Sequence, residues 1–321
     1  MGFLGNPGFK TSHEYLLQFL KENDRVVENF DECNTLIMGD FLQPDEMMKI
    51  CQNPAKAVIM FVGEPRNKFQ FSNFSDMMWN ATAYHMAYGC IANRENRWIK
   101  YPLYVAQCKE GVLNQTNTFV QTNDALSYTT ANGEKQAKRF AALINRHDPA
   151  NTREKVYEEM LQLGLPIDCP GEFKNNCSNE ELNRIGKPEW LKRYMFNICF
   201  ENHIDAQKGY ITEKLMDACL SGTVPIYNGT LDDVDAQIFN KDRIIFYHSP
   251  DYAEKMDWLM ASPANYEEFY KQPVFMPTAW QTVSQMTQQV ANMFDACRDI
   301  VLQNQSRTTV QTNDISPAKD E

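Results

Sequence analysis

Two runs of the chain are apolar without alternation. They are AVIMFVGE at 57–64, which ends in Gly63-Glu64, and RYMFNICF at 193–200, which opens on Arg193 and is interrupted by Asn197. A strand with one wet face alternates apolar and polar residues. A strand without alternation is covered on both faces, as in a parallel sheet sandwiched by helices. Helical patterns flank each run. PDEMMKICQ (44–52) precedes the first, with Pro44 in its opening turn, and NTREKVYEEMLQLGL (151–165) precedes the second, capped at Asn151 or Thr152. Further short apolar runs, NTLIM (34–38), FAALI (140–144) and TVPIY (223–227), read as strands. Helix and strand taking turns in both halves of the chain predict an α/β layer fold in each.

With 321 residues the chain is long enough for two such layers. The polar, turn-rich stretch QTNDALSYTTANGEKQ (121–136) reads as the linker between them. The expected organisation is therefore an N-terminal domain with linker over 1–136 and a C-terminal domain over 137–281. A helix over 282–303 packs on the body, and 304–321 forms a polar, disordered tail. The helix shows an apolar seam at Val283, Met286, Val290, Met293, Cys297 and Ile300.

Charge and cysteine content narrow the function. A net charge of −11 leaves no broad basic face for nucleic acid. Nine scattered cysteines with no C-x-x-C pair fit neither a zinc site nor a disulfide framework, and a reducing compartment suits them best. No stretch has the roughly 20 apolar residues of a membrane span, and the first residues lack a signal-peptide core. A cytoplasmic location is expected of the sequence as it stands. A Golgi-lumenal one would need an anchor outside it.

The segment GYITEKLMDACLSGTVPIYNG (209–229) carries the chemistry. It opens a helix near Thr212 just after a strand and a loop, at the edge where open α/β sheets bind ligands. Backbone N–H groups at a helix start favour an anion. Lys214 would add a positive charge for a diphosphate. Glu213 suits a pair of vicinal hydroxyls such as a ribose diol, and Tyr210 could offer a hydroxyl or a ring face. The plain alternative is a solvated helix end. Arg153, in the first turn of the preceding helix, suits bidentate phosphate contact, or an exposed pairing with Glu154 or Glu158. Glu64, set between Gly63 and Pro65 after the first apolar strand, suits a general base, or an exposed turn. The DDVD run (232–235) reads as a turn and helix cap rather than a metal site.

Taken together, YMFNICFEN (194–202), GYITEKLMDACLSGTVPIYNG and FNKDRIIFY (239–247) resemble the donor-binding signature of the α-1,3/4-fucosyltransferases of glycosyltransferase family 10. VIMFVGE, RWIKYPLY (97–104) and FAALINRHDPANTREKVYEEML are weaker echoes. The resemblance implies a GT-B fold, two Rossmann-like domains facing each other across a cleft. It implies GDP-fucose on the C-terminal domain and an oligosaccharide acceptor on the N-terminal one. It implies Arg153 and Lys214 at the diphosphate, Glu213 at the ribose, Asn202 and Tyr210 lining the donor pocket, and Glu64 as base in an inverting displacement. It implies no tightly bound cofactor or metal ligand, leaving room for stimulation by Mn²⁺ or Mg²⁺, and no nucleic-acid partner. Peripheral membrane contact stays open. The loop between Asn202 and Tyr210 is about two residues longer than in the bacterial members, and Asn228 replaces a frequent aromatic. A transferase using another nucleotide sugar, or a non-catalytic nucleotide- or glycan-binding module, are the alternatives.

Overall fold

A computed structural model describes residues 2–5, 16–27, 29–38, 44–53, 56–62, 84–87, 97–148, 151–202 and 209–313. The chain divides into two compact units, Met1–Tyr101 with Gln285–Glu321, and Pro102–Ser284.

The first unit holds six strands: β1 (Gly2–Gly5), β2 (Arg25–Val26), β3 (Thr35–Met38), β4 (Ala57–Val62), β5 (Tyr84–Ala87) and β6 (Trp98–Lys100). They form one sheet in the order β2-β1-β3-β4-β5-β6, every neighbouring pair parallel. The expected two-sided burial of the first apolar run holds: Ala57, Val58, Ile59, Met60 and Phe61 are all buried. Helix α1 (Pro44–Cys51) brings Ile50 against Val58, Met60, Leu36, Val27 and Cys33.

In the second unit, β7 (Ser127–Thr129) and β8 (Lys135–Ala137) form an antiparallel hairpin. Five more strands follow: β9 (Arg139–Ala142), β10 (Ile167–Asp168), β11 (Tyr194–Phe200), β12 (Val224–Asn228) and β13 (Ile245–Phe246). They lie in the order β10-β9-β11-β12-β13, all parallel. Both sheets thus start from their second strand, pass to the first and then the third, the doubly wound order whose ligand crevice lies where the winding reverses. In the second sheet that point is between β9 and β11. The helices here are α2 (Val112–Thr122), α3 (Thr152–Gln162), α4 (Glu180–Ile185), α5 (Lys187–Leu191), α6 (Glu213–Ser221), α7 (Tyr252–Ala261) and α8 (Pro263–Tyr270).

Three boundaries differ from expectation. The stretch 121–136 holds the end of α2 and most of the hairpin inside the second unit, and the units meet in sequence at Tyr101–Pro102. Asn132-Gly133 supplies its turn, with Gly133 at φ 82 where a side chain would be strained. The last helix, α9, runs Ala279–Asn313, so residues 304–313 are helical rather than a disordered tail; 314–321 lie outside the described residues. Its buried stripe is Val283, Met286, Val290, Met293, Phe294, Cys297 and Val301. The 3.6-residue period has carried it past Ile300. Within the first unit Arg298 bonds the Asp24 carboxylate and, at 3.0 Å, the Phe19 carbonyl, and Phe294 stacks on Phe19 at 5.5 Å.

Candidate functional site

The carboxyl ends of β9 and β11 carry Asn145 and Glu201-Asn202, and α3 and α6 begin beside them. Arg153 bridges these two ends. The residue is 1% exposed. Nη2 donates to the Phe200 carbonyl at 2.7 Å and to Asn202 Oδ1 at 2.8 Å, and Nη1 donates to the His147 carbonyl. With its amide oxygen turned to the guanidinium, Asn145 accepts from Nε and Nη2 at 3.2 Å. Burial pulls the Arg153 pKa down from its usual value, but Asp148 and Glu201 oppose that. An arginine keeps its charge in such settings. Arg153 therefore locks the switch point together and presents a charge beneath it, its donors turned toward the protein.

The cap of α3 is neither Asn151 nor Thr152. Asn151 sits at φ 52 with no side-chain cap bond. Asp148 does the work, accepting from Thr152 N at 3.2 Å and Glu154 N at 2.8 Å. The carboxylate reaches back over the first turn from four and six residues away, outside the spacing by which caps are read in sequence.

At α6 the cap is Thr212, as expected. Its hydroxyl accepts from Lys214 N at 3.5 Å and from Lys214 Nζ at 3.0 Å. The same hydroxyl donates to Glu201 Oε2 at 2.7 Å, while Thr212 N donates to Glu201 Oε1 at 2.9 Å. Glu201 is 1% exposed and also accepts from the Tyr227 hydroxyl at 3.3 Å. Burial pushes its pKa up, against Lys214 and the two Thr212 bonds. Glu201 was not singled out in the sequence, although it ends an apolar strand just as Glu64 does. It fixes where α6 starts.

Lys214 Nζ lies 3.6 Å from Glu201 and 3.6 Å from Glu213. Lys187, at the start of α5, stands 3.8 Å from Glu213 and 3.6 Å from Asp217, one turn further along α6. For Glu213 burial acts upward, but Lys214 and Lys187 outweigh it and hold the carboxyl below its usual range. Asp217 goes the other way. Burial raises it to about 6, against Lys187 and a 3.1 Å bond from Gln107 Nε2, with Glu213 adding to the rise. Tyr210 is 2% exposed and packs as core, with its carbonyl accepting from the Tyr227 hydroxyl at 3.4 Å. Glu64 lies outside the described residues.

A cleft of about 790 Å³ opens along this edge, lined by Asn145, Arg146, Gly171, Asn175 and Lys187 among others. A narrower hollow shares Ile144, Asn145 and Lys187 with it and reaches Lys214 and Asp217. Two lysines, a carboxylate and a helix start therefore converge on one depression. That set can take an anion and accept hydroxyl protons beside it. The DDVD run turns back on itself: Asp232 Oδ1 accepts from Val234 N and Asp235 N at 2.9 Å, and Asp235 Oδ2 from Asp232 N at 3.1 Å. Among the described residues no three His, Cys, Asp or Glu side chains are grouped to hold a metal.

The model of glycosyltransferase family 10 (fucosyltransferase), C-terminal, matches residues 133–316. An α-(1,3)-fucosyltransferase, FucT, of Helicobacter pylori is 31% identical over 278 residues, which are 78% of this chain and 53% of that protein. A fucosyltransferase-like protein of Arabidopsis thaliana is 27% identical over 132 residues, 40% of this chain and 24% of its own length. The chain thus spans about half and about a quarter of these relatives. Two solved α1,3-fucosyltransferase structures, one with GDP-fucose, align with TM-scores of 0.61 and 0.59 at 17% identity. They cover 91% and 90% of this chain, and 90% and 89% of their own. At that identity they show the fold alone, which is GT-B, two Rossmann-like units each built on a parallel sheet.

Proposed function

Because the chain belongs to glycosyltransferase family 10, the fucosyltransferases, we propose that it transfers L-fucose from GDP-fucose to a hydroxyl of an acceptor glycan. The linkage we assign is α-1,3, to GlcNAc or Glc of a lactosamine-type acceptor, by a single inverting displacement. The observation that supports this most is the opening of Lys214, Lys187 and the start of α6 onto the hollow at the switch point of the second sheet, with Glu213 3.6 Å from Lys214.

In this reading Lys214 and the N–H groups of α6 hold the diphosphate, and Arg153 adds its charge from below while holding Asn202 in place. Glu213, kept ionised by Lys214 and Lys187, accepts from the ribose diol. Tyr210 supports the pocket from within the core, behind its wall. Glu64 takes the proton from the acceptor hydroxyl as that oxygen attacks the anomeric carbon of fucose. The carbon–oxygen bond to GDP breaks on the opposite face. The charge that develops on the diphosphate is met by fixed positive groups.

The experiment is release of GDP from GDP-fucose and from other sugar nucleotides, with and without lactosamine-type glycans, in buffer and in EDTA. Release that requires GDP-fucose and acceptor and persists in EDTA is the expected result. Binding of GDP with no release from any donor would replace the transferase with a binding module. Glu64→Gln is expected to retain GDP binding and lose transfer by about a hundredfold or more. Retained transfer would remove Glu64 from the mechanism.

A further inference from the structure

The geometry points to Lys187 as a positioning residue for the nucleotide: it clamps Glu213 to Asp217 and so sets where the ribose-binding carboxylate stands beside the cleft that Lys187 lines. This rests on the reading of Glu213 given above. Lys187 and Asp217 are 30 positions apart, and Lys187 lies outside the donor signature. Yet the ammonium of Lys187 lies between the two carboxylates, 3.8 Å from Glu213 Oε1 and 3.6 Å from Asp217 Oδ2. One lysine thereby ties the start of α5 to two successive turns of α6.

The surroundings make that tie matter. Asp217 is buried and is itself held by Gln107 at 3.1 Å, so one end of the clamp is fixed. Glu213 is the half-buried end, and without Lys187 its carboxylate would keep Lys214 as its near cation, at 3.6 Å. Lys214 also faces Glu201 and Thr212, which draw it toward the floor of the site. Glu213 would follow it or swing to water. Lys187 is 40% exposed and lines both the cleft and its narrow extension, so it holds Glu213 from the open side. Both lysines reach Glu213 through Oε1, so two cations fix one oxygen and with it the plane that meets the vicinal hydroxyls. With one cation gone the carboxylate can turn and lose that register. The charge balance is served too, since the three acids Glu201, Glu213 and Asp217 are matched by the three cations Lys187, Lys214 and Arg153, and an entering diphosphate meets no net negative wall.

The test compares binding of GDP and 2′-deoxy-GDP by calorimetry to the full chain, to Lys187→Met and to Lys187→Arg. The wild-type protein is expected to prefer GDP by about tenfold, the weight of one charged hydrogen bond. Lys187→Met is expected to abolish most of that preference by weakening GDP, leaving 2′-deoxy-GDP little changed. Lys187→Arg is expected to restore it. A role limited to holding the fold or attracting phosphate would weaken both ligands alike, and that result would overturn the proposal while leaving the function intact. Wild-type protein that binds GDP without preferring it would overturn the ribose reading of Glu213 and this proposal with it. Binding of neither nucleotide would overturn the donor site as a whole.

Discussion

Asp217 carries a carboxylate in a place that disfavours it. Its pKa stands near 6 against the usual 3.8, because burial outweighs the help of Lys187 and Gln107. Between those two pH values the folded chain holds a proton that the unfolded chain has lost. The wild-type protein is therefore penalised progressively as pH rises through that window, and the penalty is complete above it. Asp217→Asn never ionises. Its stability relative to wild type is expected to rise by roughly 2–3 kcal/mol between pH 4 and pH 7. Urea unfolding at both pH values reads this directly, and a difference that does not change with pH would mean that Asp217 titrates as an ordinary surface acid. The roles of single residues were legible only in part. Arg153, Glu213 and Lys214 stand out in sequence because charged types at element ends are unusual beside apolar strands. Lys187, Asp217 and Glu201 do not, because what matters about each is a neighbour on another element. Linear order carries no trace of a 3.6 Å contact across 30 residues.

At the level of elements, the most readable signals were those of burial. Two runs without alternation became β4 and β11, each inside its sheet, and Thr212 and Gly222 bound α6 at its ends. The hairpin β7–β8 was misread because turn formers serve a linker and a hairpin equally. Asn132-Gly133 was the discriminating pair. The far end of α9 was misread because a polar composition does not by itself prevent a helix. One brace had no sequence signal. Arg243 is buried, donating to the Tyr270 carbonyl at 2.9 Å, to Gly222 at 3.1 Å and to Thr223 at 3.4 Å. It satisfies the carbonyls at the end of α6 and the start of β12. Arg243→Leu removes the buried charge but leaves those carbonyls without a donor. The expected cost is about 2–4 kcal/mol, seen as a lower urea midpoint. A loss under about 1 kcal/mol would mean that water takes over the bonds.

For the whole molecule, the two units make a prediction about where a nucleotide is felt. Every residue assigned to the nucleotide lies in 102–284 and, the positioning lysine Lys187 apart, they cluster at three places: 145–153, 201–202 and 210–217. Ligand binding stabilises only what it orders against opening. GDP is expected to slow amide hydrogen exchange over those three stretches and to leave β3 and β4 of the first unit unchanged. Protection of β4 at saturating GDP would mean that the nucleotide alone acts on both units. The overall fold was the most legible scale of all, since alternation of helix and strand is repeated along the chain and errors in single boundaries average out.

The loop between Asn202 and Gly209 is held at both of its posts. Asn202 is gripped by Arg153. Gly209 sits at φ 84, bonded to the Thr230 carbonyl at 3.1 Å, where an added Cβ would fall 2.5 Å from Asp232 Oδ2. Asp232 is itself pinned through its other oxygen. A side chain at Gly209 would push Asp232 off the N–H groups it caps and shift the chain as it enters α6, where Glu213 and Lys214 stand. A library that reshapes the donor pocket therefore keeps its scaffold only while position 209 stays glycine.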